Sequence, residues 1–392
     1  MIYYFLEGKR LDEILHVCKS LKLQILTTKK YVHEYSINKG VSSTLISNKP
    51  KLFKNDMRNI APCAVILDND STSARGQWIA RNYTSYLISE LEISTRARHI
   101  ARSKAGFIGN KFFKVMHRLA GITCLLYDVE INMHDFSIKS YLRLIRDRFF
   151  LDYKPHTALP GWYSNKIIVQ NNEMKKLYIE NHFSKDRVIN IGHPHEDYYS
   201  ELCKNTNNIE TDIDVLLFSQ PFYLRGFDDW IYEVGDLVDD CYNNGLNLVI
   251  KMHPGDDIQK YSPFKNKCTL DTSNGSLPGI INLIQRSRLI VIKHSSVIIQ
   301  SLLCKKPIAF INYRNVLPFL DGEIDFLNSM ILRREGDIKS IFDSISMDMD
   351  MDMEIETVMK FQDKKLSKIA RFDAKSISRL SILLSDDGFV HG

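Results

Sequence analysis

Long apolar runs are missing from this sequence: no stretch of about 18 apolar residues occurs, so no membrane-spanning helix is expected. Paired cysteines are missing too. The seven cysteines, at 18, 63, 124, 203, 241, 268 and 304, are scattered, odd in number and never spaced CxxC. Such usage argues against a disulfide framework and a zinc site, and fits a reducing cytoplasm. Charge of one sign is scarce, with a net charge of +5 over 392 residues. That is too diffuse for nucleic acid, yet suits an anionic small ligand or loose contact with an anionic membrane surface. The opening MIYYFLEGKRLDEILHVCKS alternates apolar and charged residues, unlike a signal peptide.

What is present reads as a soluble globular chain, 44% apolar and 25% charged. Its length exceeds one ordinary core and suits two domains. Short β-rich runs recur: LQILTT (23–28), CAVILD (63–68), GITCLLYD (121–128), NKIIVQ (165–170), RVINIG (187–192), DVLLFSQ (214–220), LNLVIKM (246–252), RLIVIKH (288–294) and PIAFIN (307–312). Helical patterns such as WIYEVGDLVDDCYNNG (230–245) and SVIIQSLLCKK (296–306) lie between them. Apolar strands separated by helices predict parallel sheets covered on both faces, a doubly wound α/β fold. The polar, Asn-rich segment DYYSELCKNTNNIETDID, near 197–213, predicts a boundary between domains at 1–200 and 210–392, with the last helix free to cross back. The biased repeat SMDMDMDMEIE (346–356) is expected to be an exposed acidic turn leading into a helix.

The stretch VIKHSSVIIQSLLCKKPIAF (291–310) passes from a buried strand to a helix through His294, Ser295 and Ser296. In open α/β sheets ligands sit beyond the carboxyl ends of the strands. A hydroxyl there can cap the helix, and the helix start with its free N–H groups suits a phosphate. Capping alone is the structural alternative. About 40 residues earlier LNLVIKMHPGDD (246–257) ends a second buried strand in Lys251, Met252, His253, Pro254 and Gly255. Proline stops that strand and glycine frees the turn, leaving His253 at the sheet edge to donate to a phosphate or protonate a leaving group.

K-x-HP at one strand end, followed by HSSV, an apolar helix and KKPIAF, resembles the nucleotide-binding domain of GT-B glycosyltransferases. The subset it resembles comprises bacterial sialyltransferases, Kdo transferases and CDP-glycerol glycerophosphotransferases of surface-glycan assembly. The resemblance spans roughly 165–380, including Ile189-Asn190-Ile191-Gly192-His193-Pro194-His195-Glu196-Asp197 against a V-x-G-x-P-x-x-D pattern and FDAKSISRLSILL (372–384) against the family's terminal helix. It implies a GT-B fold, two Rossmann-like domains facing a central cleft. It also implies donor-phosphate contacts from His253, Pro254, Ser295 and Ser296, with Ser219 and Gln220 at the mouth of another strand. Lys251, Lys293 and His294 are further candidates. Two departures stand out: Gln300 occupies a place where related transferases often carry an acid, and His294 stands where CDP-glycerol enzymes usually have an aspartate.

Inverting glycosyl transfer needs a group to take the acceptor's proton. AVILDNDSTSARG (64–76) offers Asp68 and Asp70; GITCLLYDVEINMHD (121–135) offers Asp128 and Glu130, with His134 and Asp135 beyond. Neither matches the D/E-D/E-G motif of sialyltransferases, and an Asx-turn or a solvated loop explains each equally well. Asp128 and Glu130 are preferred for their nearness to the domain junction in sequence, with Asp70 second. The basic, aromatic stretch SYLISELEISTRARHIARSKAGFIGNKFFKVMHR (85–118) is expected to be a solvated helix face, with attraction to an anionic acceptor or lipid head groups as its functional reading.

The leading expectation is a metal-independent, inverting glycosyltransferase using a CMP-linked acidic sugar and a glycan or glycolipid acceptor. Its expected place is the cytoplasm, with peripheral contact at the inner membrane. A CMP-sugar leaves as a monophosphate, which one phosphate cradle and one proton donor can serve without a cofactor. No D-x-D pair lies where a metal-diphosphate site is expected. The alternatives are transfer from CDP-glycerol or a UDP-sugar, a nucleotide-sugar 2-epimerase, and a non-catalytic subunit.

Overall fold

The computed structural model describes residues 1–7, 10–68, 73–89, 146–147, 150–151, 160–204, 209–222, 227, 229–273, 275–293, 295, 297–314, 330–346 and 373–389. They form two compact units: the described residues within Met1–Glu92, Lys104–Tyr198 and Ile369–Gly392 make the first, and those within Tyr199–Lys368 the second.

The first unit is built on seven strands: β1 (Ile2–Phe5), β2 (Gln24–Thr27), β3 (Ser43–Leu45), β4 (Ala64–Leu67), β5 (Ser85–Ile88), β6 (Lys166–Val169) and β7 (Val188–Asn190). Their order is β3-β2-β1-β4-β5-β6-β7 and every pairing is parallel. Between them run α1 (Leu11–Ser20), α2 (Lys30–Asn38), α3 (Pro50–Ile60), α4 (Ala74–Asn82) and α5 (Asn172–Glu180), and α6 (Pro194–Lys204) follows β7. Alternate strand residues feed separate cores. Tyr3, Phe5, Val65, Leu67, Leu87 and Ile167 join one; Ile2, Tyr4, Ala64, Ile66, Tyr86 and Ile168 join the other. A sheet buried on both faces needs apolar residues at every position, which is why these strands read as continuous apolar runs.

The second unit repeats the plan with β8 (Ile213–Phe218), α7 (Trp230–Asn243), β9 (Leu248–Lys251), β10 (Thr269–Asp271), α8 (Leu277–Arg286), β11 (Ser287–Ile292), α9 (Val297–Leu303), β12 (Ile308–Ile311), β13 (Ile331–Leu332) and α10 (Asp337–Ser346). The order is β10-β9-β8-β11-β12-β13, again parallel throughout. α7 buries Trp230, Val234, Leu237, Val238 and Cys241, the helical spacing of one apolar face.

The closing helix α11 (Ser376–Asp386) packs on the first unit, crossing back from the stretch 210–392 as the sequence reading allows. The reason is burial: Leu380 and Leu384 enter the core beside Tyr4 and Tyr86. Asp197 accepts from the Ile377 N–H at 2.8 Å, satisfying a free donor at the helix start. The Tyr86 hydroxyl donates to Asp387 at 2.5 Å, and Lys166 pairs with Asp387 at 3.0 Å.

One sequence expectation is corrected. Ser85–Ile88, expected on a solvated helix face, is a wholly buried strand between β4 and β6. The opening residues form buried β1, inside the sheet between β2 and β4, a strand absent from the sequence reading because the neighbouring charged residues conceal it. The expected strand at 121–128, the basic residues 90–118 and the acidic repeat from 347 lie outside the described residues. Among the described residues, no helix is long and apolar enough to cross a membrane.

Because Leu380 is fully buried in a core shared with β1, Leu380→Ala is expected to cost about 2–5 kcal/mol of stability. Urea unfolding followed by circular dichroism measures it. An unchanged midpoint would detach the helix from the first unit's core.

Candidate functional site

In a parallel sheet every strand ends on the same edge. In the second unit the order β9-β8-β11 sets three strand ends side by side, and they carry His253, Ser219 and Ser295 in turn. The strand order reverses between β8 and β11, where doubly wound sheets open a crevice. Ser219 joins two of these ends: its hydroxyl donates to Asp256 and accepts from the His253 N–H at 2.8 Å. The exposed His253 ring accepts the Gly255 N–H on Nδ1 at 3.0 Å, which places the ring proton on Nε2. Gly255 packs closely on that ring: a Cβ there would stand 3.3 Å from His253 Nδ1.

Ser295 is buried, and its hydroxyl accepts from the Val297 N–H at 3.3 Å, so capping is one of its roles. As an acceptor in that bond, the hydroxyl still has its own proton to give. His294 and Ser296 lie outside the described residues. Pro254 follows His253 in the exposed turn, and the Gln220 carbonyl accepts from the Phe222 N–H at 2.8 Å to close the turn after β8.

The lysines proposed as phosphate partners are turned to other work. Lys251 donates to the Ser273 carbonyl and, at 2.9 Å, to the Ser273 hydroxyl, with Asp271 at 3.4 Å. It ties β9 to the loop after β10 rather than presenting its charge to an anion. Lys293 is fully buried and donates to the Ile311 carbonyl at 2.9 Å and to Asn312 Oδ1 at 2.7 Å, tying β11 to the end of β12. A buried ammonium must meet acceptors, and the neighbouring strand end supplies them. Gln300 is buried in α9 and its Oε1 meets no partner among the described residues.

The first unit has its own reversal of strand order, between β1 and β4, and a polar cluster lies at that edge. Asp70, Asp128 and Glu130, with His134 and Asp135, lie outside the described residues. Asp68, directly after β4, is half-buried and accepts from the Tyr4 hydroxyl. His195 Nε2 lies 2.8 Å from the same hydroxyl and 3.9 Å from Asp68 Oδ1. The His193 and His195 rings pack edge to face at 5.0 Å, and His193 Nδ1 stands 3.8 Å from Glu196.

Burial decides the charges in this cluster. It lowers His193 to about 3, with the Arg10 charge adding to the effect, and holds His195 well below its ordinary value. Burial also raises Glu196 to about 8, against an opposing pull from Arg10. At neutral pH the His193–Glu196 contact is therefore between two uncharged groups, whatever its ion-pair geometry. Tyr4 keeps its proton, held well above the usual phenol range by burial and then by Asp68. Sequence reading missed this cluster. HPHED and Asp68 were visible signals, but Tyr4 looks like one more apolar strand residue.

No protein-family model and no curated protein matches the chain in sequence. Solved structures do match its shape. UDP-N-acetylglucosamine 2-epimerase from Rickettsia bellii aligns with a TM-score of 0.56 at 10% identity, covering 98% of this chain and 96% of that one. UDP-GlcNAc 2-epimerase from Neisseria meningitidis bound to UDP-GlcNAc aligns at 0.55 and 11% identity, covering 98% and 100%. Anabaena Alr3699/HepE in complex with UDP-glucose aligns at 0.53 and 10% identity, covering 98% and 99%. Identities this low establish the fold: two parallel α/β sheets with helices, matching the GT-B-like pair of Rossmann-type domains in these neighbours.

The Glu196 shift gives a pH prediction. A carboxyl raised from the ordinary 4.5 to about 8 makes the folded state bind the extra proton, so its contribution falls as pH rises from 4.5 and is lost by about 8. Glu196→Gln is therefore expected to stabilise the protein relative to wild type at pH 8 and to lose that advantage near pH 4.5. Urea midpoints at both pH values test this; an equal difference at both would contradict the buried, neutral Glu196.

Proposed function

We propose that the chain is an enzyme acting on a nucleotide-activated sugar, and that it breaks the bond between the anomeric carbon and the phosphate oxygen. The observation carrying this reading is the row of Ser219, His253 and Ser295 on three adjacent strand ends at the β8/β11 reversal. The Ser295 hydroxyl and the His253 Nε2–H suit a phosphate, while Ser219, whose proton goes to Asp256, holds the His253 turn in place. His253 Nε2–H is the donor for the oxygen that carries charge as the sugar leaves. Ser296, Pro254, Gln220 and His294 are assigned to the surroundings of the same nucleotide. UDP is preferred to CMP as the carrier, because the structural neighbours include proteins described in complex with UDP, UDP-glucose and UDP-GlcNAc. Asp68 is assigned as the carboxylate that takes a proton during the reaction, with Asp70, Asp128 and Glu130 as the remaining acids.

Epimerisation at the sugar C2 is the first finer reading, supported by the epimerase structures that align along nearly the whole chain. Transfer to a hydroxyl of a glycan or glycolipid acceptor is the second, supported by the His253-Pro254 and Ser295-Ser296 motifs. In the first, the proton lost with the departing nucleotide comes from C2, and the nucleotide then re-adds at C1 with a proton delivered to the opposite face of C2. In the second the proton comes from the acceptor hydroxyl, whose oxygen takes the place of the nucleotide at C1. The proposal includes no obligatory metal, so turnover is expected to survive EDTA.

Thermal-shift measurements with UDP, CDP and CMP test binding, because a ligand of the folded state raises the melting temperature. UDP is expected to give the largest shift. His253→Ala is expected to weaken nucleotide binding by about 1.5–3 kcal/mol; wild-type affinity in that variant would sink the assignment. UDP-GlcNAc supplied alone then separates the readings. Change at C2 or release of UDP without acceptor supports the epimerase, and release only with acceptor supports transfer.

A further inference from the structure

The hydrogen bonds behind Asp68 run in one direction. A carboxylate accepts, so the single Tyr4 proton goes to Asp68. The Tyr4 oxygen can then only accept from His195, 2.8 Å away, which sets His195 in its Nε2–H form. Its other ring nitrogen, Nδ1, is buried and meets no partner among the described residues, so the ring is held through Nε2. Tyr4 and His195 are buried, while the Asp68 side chain is 32% exposed. The series therefore starts in the core and ends on the one member that solvent or substrate can reach.

We propose that Tyr4 and His195 are positioning residues of the reaction: their two donors in series hold the Asp68 carboxylate at the open edge of the sheet and favour its charged, proton-accepting form. The inference rests on the proposed nucleotide-sugar chemistry and on Asp68 as its base. Tyr4 comes from β1, Asp68 follows β4 and His195 lies on α6, so three elements must be packed before the series exists. The charged and titratable groups that act on it are Arg10 and Cys18 from the α1 region and His193 beside α6; behind His193 stands Glu196, on which Arg10, Glu13 and Asp197 act in turn. Burial opposes protonation of His195, with His193 and Arg10 adding to it, which keeps the ring a neutral donor. Glu196, at about 8, acts on the alkaline side of a rate profile and leaves the acid limb to Asp68.

The test is the pH dependence of kcat/KM, read as change at C2 of UDP-GlcNAc or as UDP release, with the acceptor added if release requires one. Asp68→Asn is expected to lower kcat by about 10²–10⁴-fold while UDP still raises the melting temperature as in wild type. Tyr4→Phe removes the donor to Asp68. It is expected to lower kcat with little change in KM and to move the acid limb upward by about one pH unit. His195→Gln keeps an N–H donor and should restore the limb toward wild type, whereas His195→Leu should not; this pair carries the test even if Tyr4→Phe folds poorly. An active wild type whose Tyr4→Phe and His195→Leu variants keep the acid limb in place overturns this inference alone. A wild type that neither binds UDP nor turns over UDP-GlcNAc, by change at C2 or by release of UDP, overturns the functional reading with it.

Discussion

Parallel pairing in one direction is the constraint on which the molecule depends. Each strand must be left and re-entered through a crossover, so every strand in a sheet ends on the same edge. Any residue placed directly after a strand therefore lands beside residues that follow its neighbours, however far apart they are in the chain. The order β3-β2-β1-β4 in one unit and β10-β9-β8-β11 in the other then marks one position on each edge where successive connections diverge. Polar residues collect at both positions: Tyr4, Asp68 and His195 at the first, and Ser219, His253 and Ser295 at the second.

The two edges handle charge in opposite ways. In the second unit the buried ammonium groups are held by their own scaffold: Lys251 by Ser273 and Asp271, Lys293 by the Ile311 carbonyl and Asn312. That leaves the exposed His253 imidazole and the buried Ser295 hydroxyl, donors that meet an anion without a fixed positive charge. In the first unit burial strips charge from His193, His195 and Glu196, so the cluster supports Asp68 through oriented hydrogen bonds instead of ion pairs. An oriented donor costs little reorganisation when a proton moves, which suits a carboxylate that must change charge during a reaction.

How much was legible follows from how local each signal is. Strands such as 64–67, 166–169, 213–218 and 287–292 stand out as apolar runs between helical patterns, because doubly covered strands tolerate little else. β5 was hidden by the basic residues that follow it, and β1 by the charged residues of α1 close behind. β3 and β13, of three and two residues, are too short for any period to register. The His-Pro and Ser-Ser turns were legible because each is a contiguous motif with its own turn chemistry.

By itself the sequence determined the doubly wound class, most of the strands, and the turns that carry His253 and Ser295, since all of these are written in residues close together in the chain. Tertiary structure alone decided the rest. It placed α11 on the first unit, because only packing shows which core Leu380 and Leu384 fill. It turned Lys251 and Lys293 to neighbouring strand ends, because a buried ammonium takes the acceptors that sheet order puts beside it. And it brought Tyr4 to Asp68 and His195, 64 and 191 residues away, because parallel strands set distant residues on one edge and local sequence holds no record of which strands will be neighbours.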